Sequence, residues 1–255
     1  MTSVSAGSVL ERDPDLGEDL SPDEFAVAQK HSVARIVHYP KGPWHASDDD
    51  FDAVGSLGLL VVDGLLVRKV TVGERSCAEL LGPGDVTQPW LRVGAETSVN
   101  TEVSWQVAQS LRLAVLDRAF AARVARWPEI PAAVARRAML RVYWLSFHLA
   151  VCHMRRVDDR LMLVLWHFAD RWGRVTPRGI KIPLPLTHNL LGLVVGAHRP
   201  SVTSAIRSLT EAGHLQPCPH SQWLLCGDPP EELRGMQEYA ARYERDLPLE
   251  IRWPT

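Results

Sequence analysis

The chain has 255 residues, 46% of them hydrophobic and 23% charged, with a formal net charge of −2. That is the make-up of a soluble globular protein with a sizeable core, arranged as one large or two modest domains. No apolar run reaches membrane-spanning length, and the opening MTSVSAGSVLERDPD lacks the basic-then-apolar order of a secretory signal. The cysteines, Cys77, Cys152, Cys218 and Cys226, form neither a disulfide framework nor a usual zinc spacing. A cytoplasmic protein without a metal site and without a membrane partner is expected.

Residues 1–24 are acidic, aperiodic and Gly/Ser/Pro-bearing, and read as a flexible arm. From Phe25 to Asp117 the signals are those of short strands. They include Ala34–Tyr39, two β-branched runs within Leu57–Val72 split by a hairpin signal at Asp63–Gly64, Ser76–Leu81, Ser98–Ala108 and Leu111–Leu116. Short strands punctuated by turn residues imply an antiparallel sandwich or barrel.

Asp117 is placed to cap a helix running to about Trp127, and a long helix follows from about Pro131 to Arg156. In the long helix Leu140, Trp144, Phe147, Val151 and Met154 recur at coiled-coil spacing, and Ala138, Val142, Leu145, Leu149 and Cys152 repeat that spacing on a neighbouring face. A helix apolar over most of its circumference must be covered on more than one side. The first stripe is the expected homodimer interface. The next helix, opened by Asp158 or Asp159 and closed by Gly173, has Leu161, Leu165, Phe168 and Trp172 inward, with His167 as a tolerated surface or core residue. Val175–Pro183 reads as a hairpin around Arg178–Gly179.

Leu186–Leu215 reads as two helices joined by a sharp turn. Thr187 is the first N-cap, Leu190, Leu191, Val194 and Val195 form the apolar side, and Gly196 ends the helix. Pro200 suits the first turn of the second helix, where Val202, Ala205, Ile206, Leu209 and Ala212 point one way and Arg199, Ser201, Ser204, Arg207 and Ser208 the other. The layout fits a DNA-reading helix-turn-helix and also an ordinary helix pair. Charge favours the first: residues 131–226 carry twelve Lys/Arg against four Asp/Glu, whereas residues 1–30 carry seven acidic side chains against two basic. Leu215–Gly227 then supplies a β wing, and a charged helix is expected from Pro229–Pro230 to about Asp246. No nucleophile–base pair or phosphate loop stands out, so an enzyme is not expected.

This order of elements, and above all residues 159–215 (DRLMLVLWHFADRWGRVTPRGIKIPLPLTHNLLGLVVGAHRPSVTSAIRSLTEAGHL), resembles the Crp–Fnr family of bacterial transcription regulators, in a subgroup common in high-GC bacteria. The resemblance implies an α+β fold. It divides the chain into an arm (1–24), an antiparallel β-roll of the cyclic-nucleotide-binding kind (25–130), a dimerisation helix (131–156), a winged helix-turn-helix (157–227) and a carboxy-terminal helix and tail (228–255). It further implies sequence-specific binding of a palindromic operator in double-stranded DNA by a homodimer, with RNA polymerase and a small-molecule effector as further partners. Carried over by position, Arg199 matches a guanine-reading arginine, while Pro200 and Ser204 stand at two other base-reading positions with side chains that change what is read. Thr187, Asn189, His198 and Ser201 match phosphate-contacting positions, and Arg207 lies within reach of a phosphate one turn on.

The sensory half departs from the family. Gly82–Asn100 lacks the Gly-Glu pair for ribose and the Arg-Thr/Ser pair for a cyclic phosphate; Arg92 is followed by Val93 and Gly94. No cysteine precedes Cys77, so the ligands of the oxygen-sensing branch's iron–sulfur cluster are missing. Neither a cyclic nucleotide nor a cluster is expected, and the effector is unassigned. The rival reading is a ligand-sensing dimer whose winged helix contacts protein instead of DNA.

Overall fold

The computed structural model describes residues 3–45, 51, 54–91 and 98–229. The helix expected beyond Pro229, and Arg92, Val93 and Gly94, lie outside these residues.

The first half is an antiparallel sheet built from β1 (Ser3–Ser8), β2 (Val33–Tyr39), β3 (Gly42–Trp44), β4 (Gly58–Val72), β5 (Arg75–Leu81), β6 (Val86–Thr87) and β7 (Thr101–Leu116). The main order is β1-β2-β7-β4-β5, with β3 added on β7 and β6 on β4. Leu59, Val61, Leu66, Leu81, Val107 and Leu113 fill one side, with Trp44 and Phe51 among them.

Two expectations are corrected here. Residues 3–24 are not an irregular arm. They form β1, paired to β2 from Ser3↔His38 to Ser8↔Val33, then α1 (Val9–Arg12), a 3-10 turn at Pro14–Gly17 and the start of α2 (Pro22–His31). Val9, Leu10 and Leu16 are buried against Phe120, Ile130 and Val134, so a few apolar anchors override an acidic composition. The acidic side chains have partners: Asp13 accepts from Arg137 at 2.7 Å, and Glu18 and Asp19 face Arg136.

Asp63–Gly64 is not a hairpin either. β4 runs straight through it, paired to β7 from Gly58↔Leu116 to Val72↔Thr101, with register shifts between Val61 and Leu66. The pair makes a β-bulge, which uses the same residue types as a tight turn. Gly64 has φ 95°, and a Cβ there would sit 2.1 Å from the Ser110 carbonyl oxygen. Asp63 takes an ion pair from Arg112 at 3.0 Å across the bulge. The strand expectations 98–108 and 111–116 consequently merge into the single strand β7, bent at the same place.

α3 (Arg118–Val124) is capped by Asp117, whose Oδ1 accepts from the Phe120 amide at 2.7 Å. α4 spans Glu129–Cys152, shorter at its end than the expected Pro131–Arg156, and α5 spans Val157–Trp172. Between them the last turn tightens, with the His153 and Met154 amides reaching back three residues at 3.1 Å. The Arg160 guanidinium then takes the Met154 carbonyl, and those of Val195 and Gly196 at 3.2 and 3.3 Å. β8 (Arg174–Thr176), β9 (Gly179–Ile182), α6 (His188–Val195), α7 (Arg199–Glu211), β10 (Leu215–Cys218) and β11 (Gln222–Leu225) complete the described chain, with the second sheet ordered β10-β11-β9-β8.

α5 is the shared core. Every residue from Leu161 to Ala169 is buried, in one apolar cluster that also takes in Leu65, Val67, Ala78 and Leu80 of the large sheet together with residues of α6, α7 and the small sheet. Polar contacts fasten the same junction. Arg171 pairs with the buried carboxylate of Asp85, Trp172 Nε1 donates to the Pro83 carbonyl at 3.2 Å, and Glu79 on β5 holds both Arg68 and Arg141. Burial raises the Asp85 carboxyl's pKa against the opposing pull of Arg171.

Two features of this core are testable. Gly192 of α6 sits beneath the turn to α7, where a Cβ would lie 2.6 Å from the Ala197 carbonyl oxygen. Gly192→Ala is expected to destabilise the fold by about 1–3 kcal/mol through forced backbone displacement, measured by chemical denaturation. The second feature is a histidine pair. His148 of α4 and His167 of α5 lie with ring centroids 5.4 Å apart, each with Nε2 buried and without a hydrogen-bond partner among the described residues. Burial, and next the Arg171 charge, lower their pKa values to about 4 and about 3. Both rings are neutral when folded, while the unfolded chain takes up protons near pH 6.5, the ordinary histidine value. Stability is therefore full above that pH and falls as pH drops toward about 4 and about 3. Urea denaturation across this range should show the loss, and His167→Phe should flatten its slope.

Candidate nucleic-acid interface

The helix-turn-helix forms where the sequence signals put it. Thr187 is the N-cap of α6, its hydroxyl accepting from the Leu190 amide at 3.2 Å, and Gly196 ends that helix with φ 65°. His198 is the backbone N-cap of α7, and Pro200 lies in its first turn. Val202, Ala205, Ile206 and Leu209 are buried, which leaves Arg199, Pro200, Ser201, Thr203, Ser204 and Arg207 exposed. Thr187, Asn189 and His198 are exposed as well.

A groove of about 490 Å³ runs between the first turns of the two helices and the wing. Thr187, Asn189 and Arg199 line it, joined by His188 and by Pro217, Ser221, Gln222 and Trp223 of the wing. Ser204 and Arg207 lie further along α7, and Arg207 is engaged by Glu211 at 2.8 Å. Among the described residues Arg199, Arg174, Arg178 and Lys181 have no acidic group within ion-pair distance, whereas Arg136, Arg137, Arg141 and Arg171 are neutralised by the amino-terminal half. Part of the unpaired positive charge among the described residues is thus carried by α7 and the small sheet.

The wing is tied to α6 by its own hydrogen bonds. Trp223 Nε1 donates to the Leu186 carbonyl at 2.8 Å, and the Leu186 amide donates to the Ser221 carbonyl at 2.9 Å. At its tip His220 (φ 60°) and Ser221 (φ 57°) both take the left-handed conformation, uncommon for side-chain-bearing residues. The sequence reading missed His188, Thr203 and Trp223. A tryptophan in a short wing strand was the available signal; the two polar residues looked like ordinary helix surface.

The fold divides the expected dimer stripe between inward, half-buried and open positions. Val151 is buried, Trp144 and Phe147 pack on His167 with ring centroids at 4.2 and 5.2 Å, and Met154 packs against the α5 core. Leu140 alone of the five is open, at 47% exposure. The outward face instead carries Met139 (69% exposed), Val142 (57%), Tyr143 (60%), Leu145 (39%) and Leu149 (64%). Val142, Leu145 and Leu149 belong to the neighbouring stripe. Sequence showed two equivalent seams; the position of α5 decides which is covered from within.

The interior of the large sheet is filled by its own aromatic and aliphatic side chains, with Trp44 edge-on to Tyr39 and Trp105 at 5.7 and 5.6 Å. Arg68, beside Trp105, is held by Glu79. The Gly82–Asp85 turn is occupied by its contacts to Arg171 and Trp172. Among the described residues no cluster of His, Cys, Asp and Glu is arranged to hold a metal ion, and no helix is long and apolar enough to cross a membrane.

No protein-family model and no curated protein matches the chain. Solved structures do. A cyclic nucleotide-binding domain containing protein from Listeria monocytogenes is 17% identical, with TM-score 0.58 over 83% of this chain and 96% of that one. A CooA mutant from Carboxydothermus hydrogenoformans is 19% identical, with TM-score 0.58 over 84% and 90%. A CRP/FNR-family transcriptional regulator from Thermus thermophilus is 18% identical, with TM-score 0.51 over 81% and 98%. From its amino-terminal sheet through α4 to its wing, the chain has the α+β fold of the CRP/FNR transcriptional regulators.

Proposed function

We propose that the protein is a cytoplasmic transcription regulator that binds a two-fold symmetric operator in double-stranded DNA as a homodimer. The observation that carries this is Arg199, exposed in the first turn of α7, unpaired among the described residues, and sharing one groove with Thr187, Asn189 and the wing. An arginine so held can give two parallel hydrogen bonds to guanine O6 and N7. Thr187, Asn189, His198 and Ser201 flank it for phosphate contacts, which set register without reading sequence. Pro200 offers no hydrogen-bonding side chain and Ser204 only a short hydroxyl, so α7 reads fewer base edges directly than an all-polar helix would.

Selection of bound sites from random double-stranded DNA tests the reading. A defined palindrome is expected, bound with affinity that falls steeply with added salt. Arg199→Ala should cost about 1–3 kcal/mol and relax preference at one base pair per half-site. Binding indifferent to both sequence and salt would overturn the proposal in favour of a winged helix used for protein contacts.

The second copy is assigned to the outward face of α4, where Met139, Val142 and Leu149 continue a heptad seam open to solvent. Leu149→Glu should convert dimer to monomer in sedimentation equilibrium and weaken operator binding, because each half-site then binds without its neighbour. A dimer that persists unchanged would place the interface elsewhere.

A further inference from the structure

His188 opens α6 between Thr187 and Asn189, and its Nδ1 lies 2.9 Å from Thr203 Oγ1 on α7. The same hydroxyl lies 3.0 Å from the Arg199 carbonyl oxygen. A carbonyl only accepts, and a hydroxyl has a single proton to give. Thr203 therefore donates to Arg199 and accepts from His188, which requires the proton on His188 Nδ1. The imidazole is braced on its face as well: it stacks on the Trp223 indole with centroids 5.8 Å apart and planes 30° from parallel. Trp223 is itself fixed by its bond to the Leu186 carbonyl at 2.8 Å. A continuous series of contacts thus runs from the wing through His188 and Thr203 to the backbone of the residue proposed to read a base.

We propose that His188 is a positioning residue for base reading: acting through Thr203, it holds the first turn of α7 so that Arg199 meets one base edge in one orientation. The inference rests on the reading of Arg199 given above and deepens it. Two parallel hydrogen bonds tolerate only a small angular error. A loosened guanidinium still finds phosphate and water on any duplex, so discrimination between base pairs falls further than affinity for DNA in general. Thr203 alone does not meet this need, because Ser and Thr that bond back to the preceding turn bend the helix and leave the hydroxyl's acceptor side free to choose among partners. The His188 donor removes that choice.

The test compares wild type and variants on the best selected operator and on its single-base-pair changes. His188→Leu and Thr203→Val remove the link, while His188→Asn keeps an N–H donor near the Nδ1 position and Thr203→Ser keeps the hydroxyl. His188→Leu and Thr203→Val are expected to lower discrimination about three- to tenfold at the base pair that Arg199→Ala affects, and nowhere else. His188→Asn and Thr203→Ser should restore it, and the His188→Leu/Thr203→Val double variant should be no worse than either single one. Thr203 is exposed, so its pair of variants keeps the test decisive if His188→Leu fails to fold. Discrimination retained in Thr203→Val, or affinity lost equally on every sequence, overturns the inference while leaving Arg199 as a base reader. A palindrome read equally well by Arg199→Ala removes that base-reading role, and the present inference with it.

Discussion

The structure depends on the complete burial of one helix. From Leu161 to Ala169 no face of α5 meets water, so both the large sheet and the helix-turn-helix must close on it. Burial of a girdle that is apolar except for His167 is largely non-directional and scales with area, which suits it to hold unlike partners together. Direction comes from the polar contacts at its rim. Arg171 reaches Asp85 in the turn after β5, Trp172 reaches Pro83, and Arg160 gathers the carbonyls at the end of α6. The result is that the part of the chain proposed to meet DNA is seated on the sheet through a packed core instead of hanging from a linker.

The same helix sorts the charge of the molecule. Arginines on the side of α4 and α5 facing the amino-terminal half are consumed by Asp13, Glu18, Asp19, Glu79 and Asp85. The acidic amino terminus, unremarkable as composition, is thereby a neutralising sleeve around the base of α4. Arg174, Arg178 and Lys181 of the small sheet and Arg199 of α7 stay unpaired among the described residues, and there association with a polyanion would be steered by a long-range field. A net charge of −2 conceals this division entirely.

Much of this was legible from sequence where the signal was local. Thr187, Gly196 and Pro200 mark the helix-turn-helix because capping and turn geometry need only neighbouring residues. Asp117 marked α3 for the same reason. The readings that failed were those decided by distant partners. Asp63–Gly64 satisfies a hairpin and a bulge equally, and only the presence of β7 along its whole length selects the bulge. Val151 and Val142 are equally apolar, and only the seat of α5 makes one inward and the other outward. Leu10 and Leu16 anchor an acidic segment because Phe120 and Ile130 lie more than a hundred residues away, beyond any local window. At the candidate site the exposed Arg199 was visible in advance, while the His188–Thr203 link spans two helices and exists only in three dimensions.

The short connector at 153–156 gives this architecture one more property. It is the only covalent joint between α4 and α5, and a joint of that length permits large rotations. Any such rotation has to open the apolar cluster that Leu65, Val67 and Leu80 share with α5 and α6 and unpair the buried Asp85 together. Close-packed interfaces of this kind are bistable and do not deform smoothly. Part-way tilts combine the losses of both ends with the gains of neither. A signal acting on this protein would therefore be registered as the fraction of molecules that have let go, and not as the angle to which each has turned.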